Sequence, residues 1–141
     1  MNAEILLEEL KRQGAKMSRV RRGLVEIFCM ATHPLTVPEL LEQLAAQGST
    51  VNKTSVYREL EFLIDREVVQ VLELGTVGSK YELHGHHHHA VCSNCQAVFC
   101  LETPELEAPL HAWEQRLTDQ YGFSAHQHLL HFSGLCQNCN S

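Results

Sequence analysis

At 141 residues with a formal net charge of −6, the chain is sized for one ordinary domain or two small ones, each short of core. It has no apolar run near the roughly 18 residues that span a bilayer, and its first segment, MNAEILLEELKRQG, carries glutamates where a secretory leader would be apolar. The expectation is a cytoplasmic protein with reduced cysteines and no membrane partner.

The net charge hides a local reversal. Between Leu10 and Val25 stand six basic residues and no acidic one. Local charge governs contact with phosphates, because the Debye length in physiological salt is only about 8 Å. In chain order, Ile5, Leu6, Leu7 and Leu10 have helical spacing and stop at Gly14. Ser18 is placed to cap a second helix, with Val20, Leu24, Ile27 and Phe28 on one face and Arg19, Arg21 and Arg22 in its first turn. Thr36-x-x-Glu39, with Pro38 in the first turn, opens a third helix that ends at Gly48.

A fourth helix begins at Asn52 or Thr54 and turns Val56, Leu60, Leu63 and Ile64 inward. After it, VVQVLEL and SKYEL flank GTVG as a β-hairpin. Short helices closed by a hairpin make a winged helix-turn-helix. The fourth helix, with Lys53, Thr54, Ser55, Tyr57 and Arg58 near its start, would enter a DNA major groove, and the basic second helix, with Lys16, Arg19 and Arg21, would meet the backbone.

Beyond residue 83 the texture changes, so the expected division is 1–83, a winged-helix domain, and 84–141, a small metal-binding α/β domain; the whole is α+β. HHHHAVC and QAVFCLE read as two strands around Cys92 and Cys95. Thr103 and Pro104 start a helix with Leu106, Leu110, Trp113, Leu117 and Tyr121 on one face, and Gly122 ends it. SAHQHLLHF returns as a third strand toward Cys136 and Cys139. Two Cys-x-x-Cys turns supply four thiolates, the complement of a closed tetrahedral Zn²⁺ site. Disulfides do not suit the compartment, and a thioredoxin-like redox pair needs a helix that Cys139, followed only by Asn140 and Ser141, does not have. Strand alternation sends His87 and His89 to one face and His86 and His88 to the other. The histidines can thus build further, exchangeable sites beside the structural zinc.

Four blocks in order, GAKMSRVRRGLVEIF, TSVYRELEFL, HHHHAVCSNC and GLCQNC, resemble the ferric uptake regulator family of bacterial metal-responsive repressors across nearly the whole chain. The resemblance implies a winged-helix DNA-binding domain, a dimerisation domain, and a homodimer that binds palindromic double-stranded operators when loaded with metal. It implies a sensory site of His87 and His89 with Glu82 or His84 and Cys100, His33 lying one place from where some members contribute a further ligand. It also implies a second site of His86, His88, Glu107 and His128. Two departures stand out: Cys100 replaces the usual acidic residue, and Val20 replaces the proline usual before Arg21.

Thiolate with imidazoles favours Zn²⁺ over the oxygen-rich shells suited to Mn²⁺ or Fe²⁺, so a zinc-responsive repressor of uptake genes is expected, with iron- or peroxide-sensing kin as the alternative. Glu82 pulls toward those kin. An enzyme is not expected: the His-x-Glu signature of zinc deaminases is absent and four cysteines leave no open metal position. A zinc store would leave the basic helices without a role.

Overall fold

The computed structural model describes residues 1–74 and 78–141. The chain separates into two compact units, Met1–Gly85 and His86–Ser141.

The first unit opens with α1 (Ala3–Arg12), α2 (Arg19–Met30), α3 (Val37–Ala46) and α4 (Lys53–Asp65), followed by β1 (Val69–Glu73) and β2 (Ser79–Leu83). Their starts follow from the caps. Ser18 Oγ accepts the Arg21 amide at 3.0 Å, Asn52 Oδ1 accepts the Ser55 amide at 2.9 Å, and Thr36 and Glu39 form the reciprocal capping box. Gly14 and Gly48 follow α1 and α3 with φ of +84° and +81°, a region costly for any residue with a Cβ. Leu24, Leu40, Leu44, Val56 and Leu63 are wholly buried where these helices meet, each contributing about 1.5–3 kcal/mol of burial. β1 and β2 pair antiparallel, Val69 opposite Leu83, and Leu35 adds a bridge to Tyr81 through two 2.8 Å backbone bonds. Of the turn expected at GTVG, residues 75–77 lie outside the described residues.

Gly23 faces Leu44 of α3 and Gln47 just after it, with no room for a side chain. A Cβ there would sit 2.7 Å from Gln47 Oε1 and 2.9 Å from Leu44 Cδ2. Gln47 can swing away, but Leu44 is locked in the core. Gly23→Ala is therefore expected to destabilise the first unit by about 1–3 kcal/mol despite the higher helix propensity of alanine. A melting temperature at or above wild type, followed by circular dichroism, would contradict this.

The second unit is a β-β-α-β arrangement of β3 (His88–Cys92), β4 (Val98–Leu101), α5 (Pro104–Tyr121) and β5 (His131–Gly134). Its sheet has the order β4-β3-β5, antiparallel between β3 and β4 and parallel between β3 and β5. Three expectations need correction. The first strand starts at His88, so His86 and His87 precede it. The last strand takes in only His131 and Phe132 of SAHQHLLHF, because Leu130 gives its amide to the His88 ring at 3.2 Å rather than to a ladder.

The inward face of α5 is also rotated: Leu106, Leu110 and Leu117 are half-buried beside Glu107 and Glu114, whereas Trp113 and Tyr121 are 59% and 75% exposed. Thr103 precedes α5 without a side-chain capping bond. Gly122 ends the helix at φ +63°. Among the described residues no helix is long and apolar enough to cross a membrane.

Candidate metal centres

The knuckle between β3 and β4 and the turn after β5 bring Cys92, Cys95, Cys136 and Cys139 together, their sulfurs all within 4.8 Å of one another. Cys95 and Cys136 sulfurs are 3.7 Å apart. A Zn–S bond of about 2.3 Å sets tetrahedral sulfurs about 3.8 Å apart, whereas a disulfide needs about 2.05 Å. The spacing fits four ligands around one ion.

Backbone amides already prepare one thiolate: the Cys136 amide, 3.4 Å from Cys92 Sγ, and then that of Cys95 draw the Cys92 thiol down to about 6. The Ala97 amide draws Cys95 the same way, but the neighbouring sulfurs of Cys92 and Cys136 outweigh it and push that thiol up to about 11. Four adjacent thiolates repel, and a divalent cation is the group that lets all of them ionise.

A second cluster gathers on α5. Three imidazole nitrogens lie close to the Glu107 carboxylate: His86 Nε2 at 3.2 Å, His88 Nε2 at 2.9 Å and His128 Nε2 at 3.3 Å. Ligands on a tetrahedral ion with bonds of about 2.0 Å are about 3.3 Å apart, so this group too has metal-ligand dimensions, and all four residues are those expected for the second site. Burial opposes ionisation of Glu107, but bonds from His88 and His86 prevail and hold its carboxyl below the ordinary range. His88 Nδ1 accepts the Leu130 amide, so its proton lies on Nε2. An ion at Nε2 displaces that proton, and the ring must then give up Leu130.

Around this cluster stand two residues that the sequence reading did not assign. Glu114 Oε1 takes His128 Nδ1 at 2.6 Å and its Oε2 takes His111 Nδ1 at 2.8 Å; these bonds, His128 first, lower the Glu114 carboxyl. The signal was available. Glu107-x₃-His111-x₂-Glu114 repeats over two helical turns and so presents one face.

The residues expected at the sensory site divide between the units. His87, His89 and Cys100 belong to the second. There His89 pairs with Cys100 across β3 and β4, a ring nitrogen within 4.8 Å of the sulfur, and the His87 ring lies 6.4 Å from that of His89. His89 is wholly buried. Glu82, His84 and His33 belong to the first unit. Glu82 is a buried carboxylate on β2 that accepts Gln70 Nε2 at 2.7 Å, while His84 and His33 are exposed.

On α4, Lys53, Thr54, Tyr57 and Arg58 form an exposed stripe opposite buried Val56, Leu60 and Leu63, with Ser55 partly covered. Lys16 and Arg19 are also exposed. Arg21 is placed differently. Its guanidinium bonds Glu59 at 2.7 and 3.3 Å and the Lys16 carbonyl at 2.5 Å, and it stacks 3.6 Å over the Phe62 ring centroid. Its donors are engaged inside the unit, which makes it a brace between α2 and α4.

The model of the ferric uptake regulator family matches residues 12–133. The chain belongs to this family. It is 32% identical to the ferric uptake regulation protein of Campylobacter jejuni over 98% of this chain and 90% of that one. It is 24% identical to the peroxide-responsive repressor PerR of Staphylococcus saprophyticus over 94% and 88%. Among solved structures, the Helicobacter pylori ferric uptake regulator Fur, described as having three functional metal binding sites, superposes with a TM-score of 0.83 at 24% identity, over 100% and 95% of the two chains. That likeness bears on the fold. In this chain a helical unit is followed by a small sheet unit that gathers metal-binding groups.

Proposed function

We propose that this member of the family is a zinc-responsive repressor, which binds a palindromic double-stranded operator as a homodimer and silences metal-uptake genes when zinc is plentiful. Zn²⁺ is read as the structural ion at Cys92, Cys95, Cys136 and Cys139. The sensed ion is read at His87, His89 and Cys100, with Glu82 or His84 as the family resemblance implies, and a further ion at His86, His88, Glu107 and His128. The observation that carries the zinc reading is Cys100 beside His89, since a thiolate with imidazoles is a soft donor set.

An iron or manganese reading is the rival. It is favoured by the ferric uptake relatives and by the Glu82 carboxylate. DNA contact is assigned to Tyr57 and Arg58 first, with Lys16, Arg19, Thr54 and Ser55 beside them, Arg58 suited to guanine and Tyr57 to a phosphate or thymine methyl.

Self-association is supported by what the second unit leaves uncovered. α5 has no fully buried residue, and Phe99 and Phe132, which flank Ala90 from either side, are 47% and 49% exposed. A sheet face with two half-exposed phenylalanines calls for a partner. A sensed ion that bridges chain segments would hold two winged helices at the spacing of two half-sites, so the ordering cost is met before DNA arrives.

Fluorescence anisotropy of a labelled operator, titrated with Zn²⁺, Fe²⁺ and Mn²⁺ in turn, tests the reading. Zinc is expected to tighten binding about 5- to 150-fold at concentrations where the others do not, and His89→Ala to remove that response. Affinity indifferent to chelation would sink metal control. Tightening by Fe²⁺ alone would transfer it to iron.

A further inference from the structure

We propose that Glu114 is a positioning residue that fixes His128 as a metal ligand, with His111 bracing it, so that the second site is built in two layers. The inference rests on reading His86, His88, Glu107 and His128 as that site. The distances separate the layers. Within the inner cluster the contacts to Glu107 run from 2.9 to 3.3 Å, near the roughly 3.3 Å between tetrahedral ligands. Glu114 lies 2.6 Å from His128 and 2.8 Å from His111, which are hydrogen-bond lengths and shorter than that tetrahedral spacing.

The chemistry follows from where the proton must be. A carboxylate only accepts, so His128 Nδ1 carries the hydrogen, and in the neutral imidazole Nε2 carries the lone pair. That Nε2 atom is buried, makes no hydrogen bond, and stands 3.3 Å from Glu107 Oε2. Two acceptors facing each other in a covered site are unfavourable until a cation comes between them. Glu114 therefore holds the ring in the tautomer a metal requires, as outer carboxylates do for ligating histidines. His88 shows the contrast: its Nδ1 accepts a backbone amide, leaving the proton on the nitrogen that faces Glu107. His128 is the imidazole prepared in advance.

His111 occupies the second oxygen of Glu114, and the Thr118 hydroxyl bonds the Glu114 carbonyl at 3.3 Å. The carboxylate is thereby restrained at both ends of its residue.

Competition titration of the full-length, zinc-containing protein with Co²⁺ and a chelator, read by the visible cobalt bands and by ions bound per chain, provides the test. Glu107→Ala is expected to lose one ion per chain. Glu114→Leu should keep that ion but weaken it about 10- to 100-fold, and Glu114→Gln, which retains an acceptor oxygen and the volume, should weaken it less. In the metal-free proteins, ¹⁵N imidazole NMR should show His128 protonated on Nδ1 in the wild type and on Nε2 in a measurable fraction of Glu114→Leu.

Wild-type affinity in Glu114→Leu while Glu107→Ala loses its ion overturns the inference alone. Loss in Glu114→Leu of an ion that Glu107→Ala retains overturns it as well, since Glu114 would then ligate an ion of its own. Equal stoichiometry in wild type and Glu107→Ala overturns the reading of the site and this inference with it.

Discussion

Cys136→Ser is expected to leave residues 1–85 folded and residues 86–141 without fixed structure. The two units differ in what holds them. Among the described residues, the first has a continuous core of sixteen buried residues from Leu7 to Tyr81. In the second, the buried apolar side chains among the described residues are Val91, Cys92 and Val98. At about 1.5–3 kcal/mol each these cannot offset the roughly 1–2 kcal/mol of backbone entropy lost by every residue ordered. A structural zinc contributes about 10–16 kcal/mol to such a domain. Serine fits the space but is a far poorer zinc ligand than thiolate.

Amide NMR of the full chain should show the resonances of residues 86–141 collapse toward random-coil shifts while those of the first unit stay dispersed. Cys100→Ser, outside the quartet, should retain the structural ion. A dispersed second unit in Cys136→Ser would mean that the sheet stands on packing alone. Acid should act in the same direction. The folded unit holds the Cys92 thiol at about 6, below its unfolded value, so the unfolded chain binds more protons and the associated stability falls as pH drops through that region. A bound cation favours the thiolates further and shifts their protonation to still lower pH, so metal release is expected below about pH 6.

The N-terminal half was legible because its signals are local. Ser18, Thr36 and Asn52 state where helices begin, and the buried leucines repeat at helical spacing over two or three turns. The cysteine quartet was legible for another reason: two tight turns with paired thiols supply the four corners of one tetrahedral ion. The second unit was harder to read because its helix is nearly as exposed on its apolar side as on the other. Trp113 and Tyr121 looked inward by spacing, yet the covered face is chosen by Glu107 and Glu114, which face the histidines. Sequence periodicity weighs apolar residues and is blind to a face organised by carboxylates. The last strand was misplaced for a similar cause: a histidine ring, rather than a neighbouring strand, takes the Leu130 amide.

Arg21 shows the same limit in the first unit, and its replacement is expected to cost stability there rather than DNA binding. A basic residue in the first turn of a basic helix reads as a DNA contact. Its side chain, however, is only 13% exposed and that of Glu59 is 18% exposed, so the pair is largely removed from water and screening. Removing one partner of such a pair strands the other charge, a loss of about 3–5 kcal/mol when fully buried; the residual exposure brings this to about 2–4 kcal/mol, with the stacking on Phe62 included.

Arg21→Ala should therefore lower the melting temperature of the first unit by about 10 °C or more. Operator affinity below that temperature should change little. Arg58→Ala should do the reverse, melting near wild type and losing about 1–3 kcal/mol of operator binding. The double replacement Arg21→Leu with Glu59→Leu removes both charges at once, and it should recover much of the stability that either single change loses. If Arg21→Ala melted like wild type and bound its operator ten times more weakly, the side chain would be a DNA contact after all. The ion pair with Glu59 would then form only when DNA is absent.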